Sequence, residues 1–260
     1  MERPLVIGGG VGPMAGVALH ARIIEHTVTD GTDQSHLAVF HFSCSSRIPD
    51  RTAYLLGKER VNPAFGMVEI FQGAWEALKA LGYAGIGAVG GIPCNTFHAP
   101  GIFRLFQEEL EKRGISIRVL HMLEETLGHI QEGFPQVNRV GVLSTTGTRK
   151  TALYRTLLKE GGFQVVEVPE QRQEIVQEAI YHPSWGIKAR SPVTVKARNQ
   201  ALEALKILLD AGAEAVVLGC TELPLAIPER EWEGVPLVDP MVALARAMIR
   251  ESAPYKLAAY

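Results

Sequence analysis

The 260-residue chain is poor in cysteine, in net charge and in long apolar runs, and each shortage excludes something. Three cysteines are too few, and odd in number, for the disulfide framework of a small secreted scaffold. Thiols this sparse fit a reducing compartment, either as buried filler or as reactive groups. Twenty-six Lys and Arg against 28 Asp and Glu leave a net charge of −2, so no global field attracts nucleic acid or an anionic membrane, and neither is expected as a partner. The longest apolar stretches, such as 213–219, fall far below the ~20 residues that span a bilayer. Met1-Glu2-Arg3-Pro4 leads into an apolar run without the pattern of a secretory signal, and a cytoplasmic location is expected. No low-complexity tract or charge block interrupts the sequence. With 47% hydrophobic and 21% charged residues, the composition is that of a folded globular protein. Its length suits one large α/β domain or two smaller ones.

What is present alternates. Apolar runs at 5–8, 37–42, 85–90, 117–120, 140–144, 163–168, 213–219 and 235–238 predict strands. Segments of helical periodicity near 13–28, 64–81, 99–113, 149–160, 170–181, 193–211 and 240–251 predict helices between them. Continuous apolar strands separated by amphipathic helices mark a parallel sheet covered on both faces, so the fold class is α/β. Pro13 suits a first helical turn, and Gly82 and Gly212 suit helix ends.

The chain also repeats itself. Ala77-Leu78-Lys79 opens a segment that turns at Gly82 and ends in Ile92-Pro93-Cys94-Asn95-Thr96. Ala204-Leu205-Lys206 opens another that turns at Gly212 and ends in Gly219-Cys220-Thr221-Glu222. From Ala77 to Cys94 is 17 positions, and from Ala204 to Cys220 is 16. Two glycine or threonine turns, Gly8-Gly9-Gly10-Val11-Gly12 and Ser144-Thr145-Thr146-Gly147-Thr148, each follow a strand early in a half. Two related α/β halves, each with a cysteine at the carboxyl end of a strand, is the simplest account, and ligands of open α/β sheets bind beyond those ends.

A free cysteine is most often a small buried hydrophobe. Two at matching places in a duplicated pattern point instead to chemistry. A helix starting just after each cysteine would favour thiolate, and a thiolate serves as nucleophile or proton acceptor. Three chemistries are open. A redox disulfide is one, although Cys94 and Cys220 are unlike a local Cys-x-x-Cys pair. A metal site with His98 is another, although a fourth ligand is not evident. The third sets the two thiols on opposite faces of a substrate carbon, one taking a proton and the other returning one.

The segments Gly91-Ile92-Pro93-Cys94-Asn95-Thr96-Phe97-His98 and Leu218-Gly219-Cys220-Thr221-Glu222-Leu223 resemble the two signature motifs of the aspartate/glutamate racemase family. The likeness extends to Gly9-Gly10-Val11-Gly12-Pro13, Ile48-Pro49-Asp50-Arg51-Thr52, Met122-Leu123-Glu124-Glu125-Thr126, Thr145-Thr146-Gly147-Thr148 and Val238-Asp239-Pro240-Met241. It is nearest the aspartate racemase branch. The resemblance implies two similar α/β domains with the active site in the cleft between them: 1–121 with 239–260, carrying Cys94 and completed by the C-terminal helix, and 122–238, carrying Cys220. It implies a racemase that needs neither pyridoxal nor any other cofactor, nor a metal, acting on aspartate or glutamate as a homodimer. Cys94 would then deprotonate the D-enantiomer and Cys220 the L-enantiomer.

It also implies that Asn95, Thr96, Thr148 and Thr221 hold the α-carboxylate and amino group, although such residues also simply cap helices. Glu222 would orient a donor or meet the substrate ammonium, or be an ordinary first-turn acid. Arg51 and Lys188 would clasp the distal carboxylate, Arg51 with its planar fork. Arg190 competes with Lys188 for that part, and 182–186 reads as a loop. Phe42-Ser43-Cys44-Ser45-Ser46 stands where relatives have an asparagine-rich segment, and Val11 where they have methionine. Cys44 is expected as buried filler or, failing that, at the pocket; His98 and His121 are expected as core or surface polar residues. Racemases of hydantoins or of a broad range of amino acids and maleate isomerases share the superfamily, and an amino-acid-binding protein without turnover is a further alternative. A dinucleotide turn at Gly10-x-Gly12-x-x-Ala15 is weaker, because Pro13 removes a backbone donor and no acid clearly closes a second strand.

Overall fold

In the computed structural model, which describes residues 2–259, the apolar runs of the first half pair as a parallel four-stranded sheet. Its strands are β1 (Leu5–Gly9), β2 (Val39–Ser43), β3 (Ala88–Gly91) and β4 (Ile117–Val119), in the order β2-β1-β3-β4. The second sheet contains β5 (Arg139–Leu143), β6 (Gln164–Glu167), β7 (Ala215–Leu218), β8 (Glu231–Trp232) and β9 (Val235–Val238), in the order β6-β5-β7-β9-β8. All its pairings are parallel except β8 with β9. Leaving β8 aside, both sheets read second, first, third, fourth. The fold is α/β, and the two halves share one strand plan.

All eight sequence-predicted strands are present within a few residues of their predicted bounds. The unpredicted β8 is two residues long and joined to β9 through Glu233 and Gly234, whose φ angles of 51° and 77° make a tight hairpin with both central residues left-handed. Such a strand is too short for a period. Helices at Arg51–Leu55, Met122–Gly133, Thr146–Lys150 and Leu223–Ala226 were also unpredicted. Three of these are four or five residues long and show no periodicity. The helix predicted near 149–160 starts only at Leu153, because Ala152 at φ 53° breaks it from Thr146–Lys150. Pro13 does begin a helix, Pro13–Glu25. Gly82 and Gly212, with φ of 85° and 80°, take the left-handed position just past a helix end, which glycine alone adopts without penalty.

The chain divides into two compact units, one running to Glu125 and resuming at Met241, the other Thr126–Pro240. In the first, Leu5, Ile7, Leu19, Ile23 and Val89 are buried with Leu244, Met248 and Ile249 of helix Pro240–Ser252. Close packing there needs Gly91, since a Cβ at that position would lie 2.5 Å from Met248 Sδ. In the second unit, Leu143, Val216 and Leu218 pack with Val176 and Ile180 of helix Gln173–Tyr181 and with Ala201, Ala204, Leu205 and Leu208 of helix Val195–Asp210. Among the described residues, no helix is long and apolar enough to cross a membrane.

Candidate active site

Cys94 lies three residues beyond β3, in extended conformation, and begins the 3-10 turn Asn95–His98. The turn is closed by short-range bonds: Cys94 N–H donates to the Ile92 carbonyl at 2.8 Å, and the Cys94 carbonyl accepts from Phe97 N–H at 3.1 Å. That same carbonyl faces His98 Nδ1 at 2.9 Å. Cys94, Asn95, Thr96 and His98 are all buried. Burial, followed by the neighbouring His121, pulls the His98 pKa down to about 3, so the imidazole is neutral. Of the two roles expected for His98, the structure selects the core one.

Arg51 opens helix Arg51–Leu55, capped by the Asp50 carboxylate, which accepts from Ala53 N–H at 2.6 Å. Its guanidinium reaches the turn after β1, with Nη2 donating to the Val11 carbonyl at 3.0 Å and Nη1 to the Pro49 carbonyl at 3.3 Å. The glycines of that turn serve chain packing: a Cβ on Gly10, at φ 87°, would lie 2.8 Å from the backbone nitrogens of Cys44 and Ser45. With β2 ending in Ser43 rather than an acid, the turn lacks the mark of a dinucleotide site. Cys44 itself is exposed, which corrects the expectation of buried filler; the polar run Ser43 to Ser46 leaves β2 at the surface instead of re-entering the core.

Cys220 lies two residues beyond β7. Gly219 lets this end press on its neighbour, since a Cβ there would be 3.0 Å from the Leu143 carbonyl. The Cys220 thiol donates to Glu222 Oε2 at 3.0 Å, and the Thr221 hydroxyl donates to the same oxygen at 3.2 Å. The other carboxylate oxygen takes the Lys188 ammonium. Lys188 comes from the loop between helices Gln173–Tyr181 and Val195–Asp210, its backbone N–H bonded to the Ile180 carbonyl at 3.1 Å and its Nζ 5.3 Å from the Tyr181 ring centre. Arg190 is exposed and holds the Ser184 carbonyl, so Lys188 alone of the two joins the cluster.

Burial of the Cys220 thiol and the Glu222 charge push its pKa well above the ordinary thiol value, outweighing Lys188. The sequence had suggested a thiolate favoured by a following helix. For Cys220 that is corrected: the helix that follows, Leu223–Ala226, is only four residues, and Cys220 is held as a thiol. Burial alone would depress the Lys188 ammonium, but Glu222 and then Cys220 raise it, so it stays charged.

Thr148 follows β5, the strand beside β7. Its N–H donates to Thr145 Oγ1 at 3.3 Å, and the two hydroxyls are 3.1 Å apart. Helix Gln173–Tyr181 pins this turn twice: Gln173 Nε2 donates to the Ser144 carbonyl at 2.8 Å, and Gln177 Oε1 accepts from Thr146 N–H at 2.9 Å. The structure thus gathers Cys94, Asn95 and Thr96 in one turn and Cys220, Thr221, Glu222 and Lys188 in one bonded cluster. Arg51 and Thr148 are each held at the end of the adjacent strand's turn. Sequence reasoning missed Tyr181 beneath Lys188 and the buried Tyr154, whose phenol burial pushes up, with Asp239 and Cys220 adding to the rise. Tyr154 occupies an apolar position of a helical segment and Tyr181 the exposed end of one, and neither gives a separate signal. Among the described residues, no group of three or more His, Cys, Asp or Glu is placed to hold a metal ion.

A family model for Asp/Glu/hydantoin racemases matches residues 9–248. The broad-specificity amino-acid racemase RacX of Bacillus subtilis is 26% identical over 168 residues, covering 64% of this chain and 65% of that protein. A glutamate racemase of Synechococcus is 29% identical over 125 residues, covering 46% of this chain and 44% of its own length. The chain therefore spans less than two thirds of each of these relatives. The solved structure of Picrophilus torridus aspartate racemase superposes with a TM-score of 0.74 at 24% identity, covering 97% of this chain and 94% of that one. Glutamate racemase from Francisella tularensis gives 0.60 at 19% identity, covering 99% and 84%.

Proposed function

The chain belongs to the Asp/Glu/hydantoin racemase family, and from that premise we propose that it is a pyridoxal-independent racemase of aspartate or glutamate with Cys94 and Cys220 as its two bases. The observation that carries the reading is the Cys220 cluster: a buried thiol bonded to a carboxylate that is itself neutralised by a lysine, at the third-strand end that matches the position of Cys94. In the reaction one sulfur, as thiolate, takes the Cα proton. The electron pair stays on the substrate as a carbanion, and the other sulfur, as thiol, protonates the opposite face. No electrons are transferred, and each turnover exchanges the protonation states of the two sulfurs. The resting thiol at Cys220 is the state that gives a proton, which suits attack on the D-enantiomer from Cys94. The carbanion needs donors at its carboxylate, and Asn95, Thr96, Thr148 and Thr221 are the proposed set, with Arg51 and Lys188 for the distal carboxylate.

A second reading, a racemase of wider amino-acid range, is favoured by one observation. Lys188 is already ion-paired to Glu222, which leaves Arg51 as the main distal contact. Incubation with L-aspartate, L-glutamate and a panel of neutral amino acids in deuterated buffer, without added cofactor, separates the two. Deuterium at Cα with inversion of the acidic pair alone supports the first. Equal turnover of neutral substrates supports the second, and no exchange with any of them overturns both. Cys94→Ser and Cys220→Ser should each lower racemisation by at least ~10²-fold, the scale of a lost positioned base. Variants that racemise normally would make the cysteines mere filler.

A further inference from the structure

We infer that His98 is a positioning residue that fixes Cys94, acting as a neutral donor to the Cys94 carbonyl inside a two-imidazole bridge; this rests on the reading of Cys94 as a base. The bridge follows from the bonds. A carbonyl only accepts, so the 2.9 Å contact is a hydrogen bond when the proton of His98 sits on Nδ1, which the neutral ring then withholds from the Leu120 carbonyl. The His98 carbonyl in turn lies 3.2 Å from His121 Nε2, which must therefore donate. His121 Nδ1 accepts the backbone N–H of Glu124 at 3.3 Å, in the first turn of helix Met122–Gly133. His98 is neutral by burial and His121 by its two bonds, and the rings carry opposite tautomers. The turn after β3 is tied through them to the chain leaving β4.

Packing alone would not ask for an imidazole here. The His98 ring is 1% exposed and lies 4.8 Å from the centres of both Phe103 and His121, a site where leucine would be buried without the cost of a polar ring. The Cys94 carbonyl already has Phe97 N–H as a partner. What the second donor adds is direction. It holds the peptide after Cys94 from the side of the buried cluster and so restricts where Sγ can swing. Proton transfer is sensitive to such placement, since an error of about 1 Å costs roughly 100-fold.

The test compares His98→Leu, His98→Asn and His98→Gln. The asparagine amide nitrogen falls where Nδ1 does and restores the bond; that of glutamine falls near Nε2 and does not. In His98→Leu and His98→Gln, inversion of L-aspartate should fall roughly 100-fold while Cα–H exchange of the same substrate continues. The carbanion still forms at Cys220 but is reprotonated from the face it left. In His98→Asn, inversion should recover to within about fivefold, the scale of one altered hydrogen bond. A purely structural His98 predicts that exchange and inversion fall together and that activity follows melting temperature, with leucine at least as good as asparagine. Either result overturns the inference. If the unmodified protein exchanges no amino acid, the function is wrong, and iodoacetamide labelling decides the clamp alone. Cys94 should then label faster in His98→Leu than in His98→Asn, with Cys220 unchanged as internal reference. Equal Cys94 rates would overturn it.

Discussion

Glu222 accepts from three donors at once, the thiol of Cys220, the hydroxyl of Thr221 and the ammonium of Lys188, and these oppose one another in their effect on the sulfur. The carboxylate raises the Cys220 pKa and the ammonium lowers it. Removing each charge should therefore move the thiol in opposite directions. In Glu222→Gln, the pH at which Cys220 becomes reactive shifts downward; in Lys188→Met it shifts upward. Mass-spectrometric rates of iodoacetamide labelling at the Cys220 peptide, followed from pH 6 to 11, read both, and no shift in either variant would show that burial alone sets the thiol. Glu222→Gln should cost only about 1 kcal/mol of stability, because the Lys188 side chain keeps access to water and its charge is left hydrated. At this scale the sequence was only partly legible. Cys220, Thr221 and Glu222 are contiguous, and any thiol at a strand end draws attention. The Lys188 ion pair joins positions 34 residues apart, and only the loop fold makes it. The protonation of Cys220 is illegible for the same reason: adjacency in sequence shows only that a helix follows, whereas burial and the Glu222 charge govern the thiol.

At the scale of elements, Arg51 depends on a glycine that lies on another helix. Helix Pro63–Ala80 crosses the segment before Arg51 so closely that a Cβ on Gly66 would lie 2.0 Å from the Arg47 carbonyl oxygen. Neither backbone can yield without moving the turn that carries Ile48, Pro49 and Arg51. Gly66→Ala should destabilise the protein by about 2–3 kcal/mol through overpacking and raise KM for the acidic substrate more than it lowers kcat. Gly73 in the same helix meets nothing within 4 Å, so Gly73→Ala should instead stabilise by about 0.5–1 kcal/mol. Urea unfolding of the pair, beside steady-state kinetics, checks this; equal behaviour of the two would remove the close approach as the cause. Elements long enough to show a period were legible: β1, β5, β7 and the helices Pro63–Ala80 and Val195–Asp210 all fall close to their predicted places. The helix Met122–Gly133 was not, because its first turn was read as a motif. Single-turn helices beside the cysteines carry no period at all.

At the scale of the molecule, both sheets place their strands in the same order and each cysteine follows the third strand. The repeated Ala-Leu-Lys, glycine and cysteine spacing announced this in the sequence; the return of the last helix to the first unit is packing that the spacing does not encode. The two cores share no residue. Leu244 and Met248 bury against Leu5, Ile7 and Val89, all in the first unit, while the core around Leu205, Val216 and Leu218 lies wholly in the second. Leu244 is fully buried, so Leu244→Ala leaves a cavity and should cost about 2–5 kcal/mol. Because Leu244 belongs to a cluster lying within the first unit, the loss should fall on that unit. Hydrogen exchange followed by peptide mass spectrometry should show amides of β1 and β3 exchanging faster, and those of β5 and β7 at the unmodified rate. Uniform acceleration across both sheets would mean that the units unfold as one cooperative body, and the shared strand plan would then describe ancestry of form rather than independence of stability. The same measurement bears on the chemistry. Faster exchange at β3 loosens the strand that leads into Cys94, so Leu244→Ala should weaken inversion more than it weakens Cα–H exchange of L-aspartate.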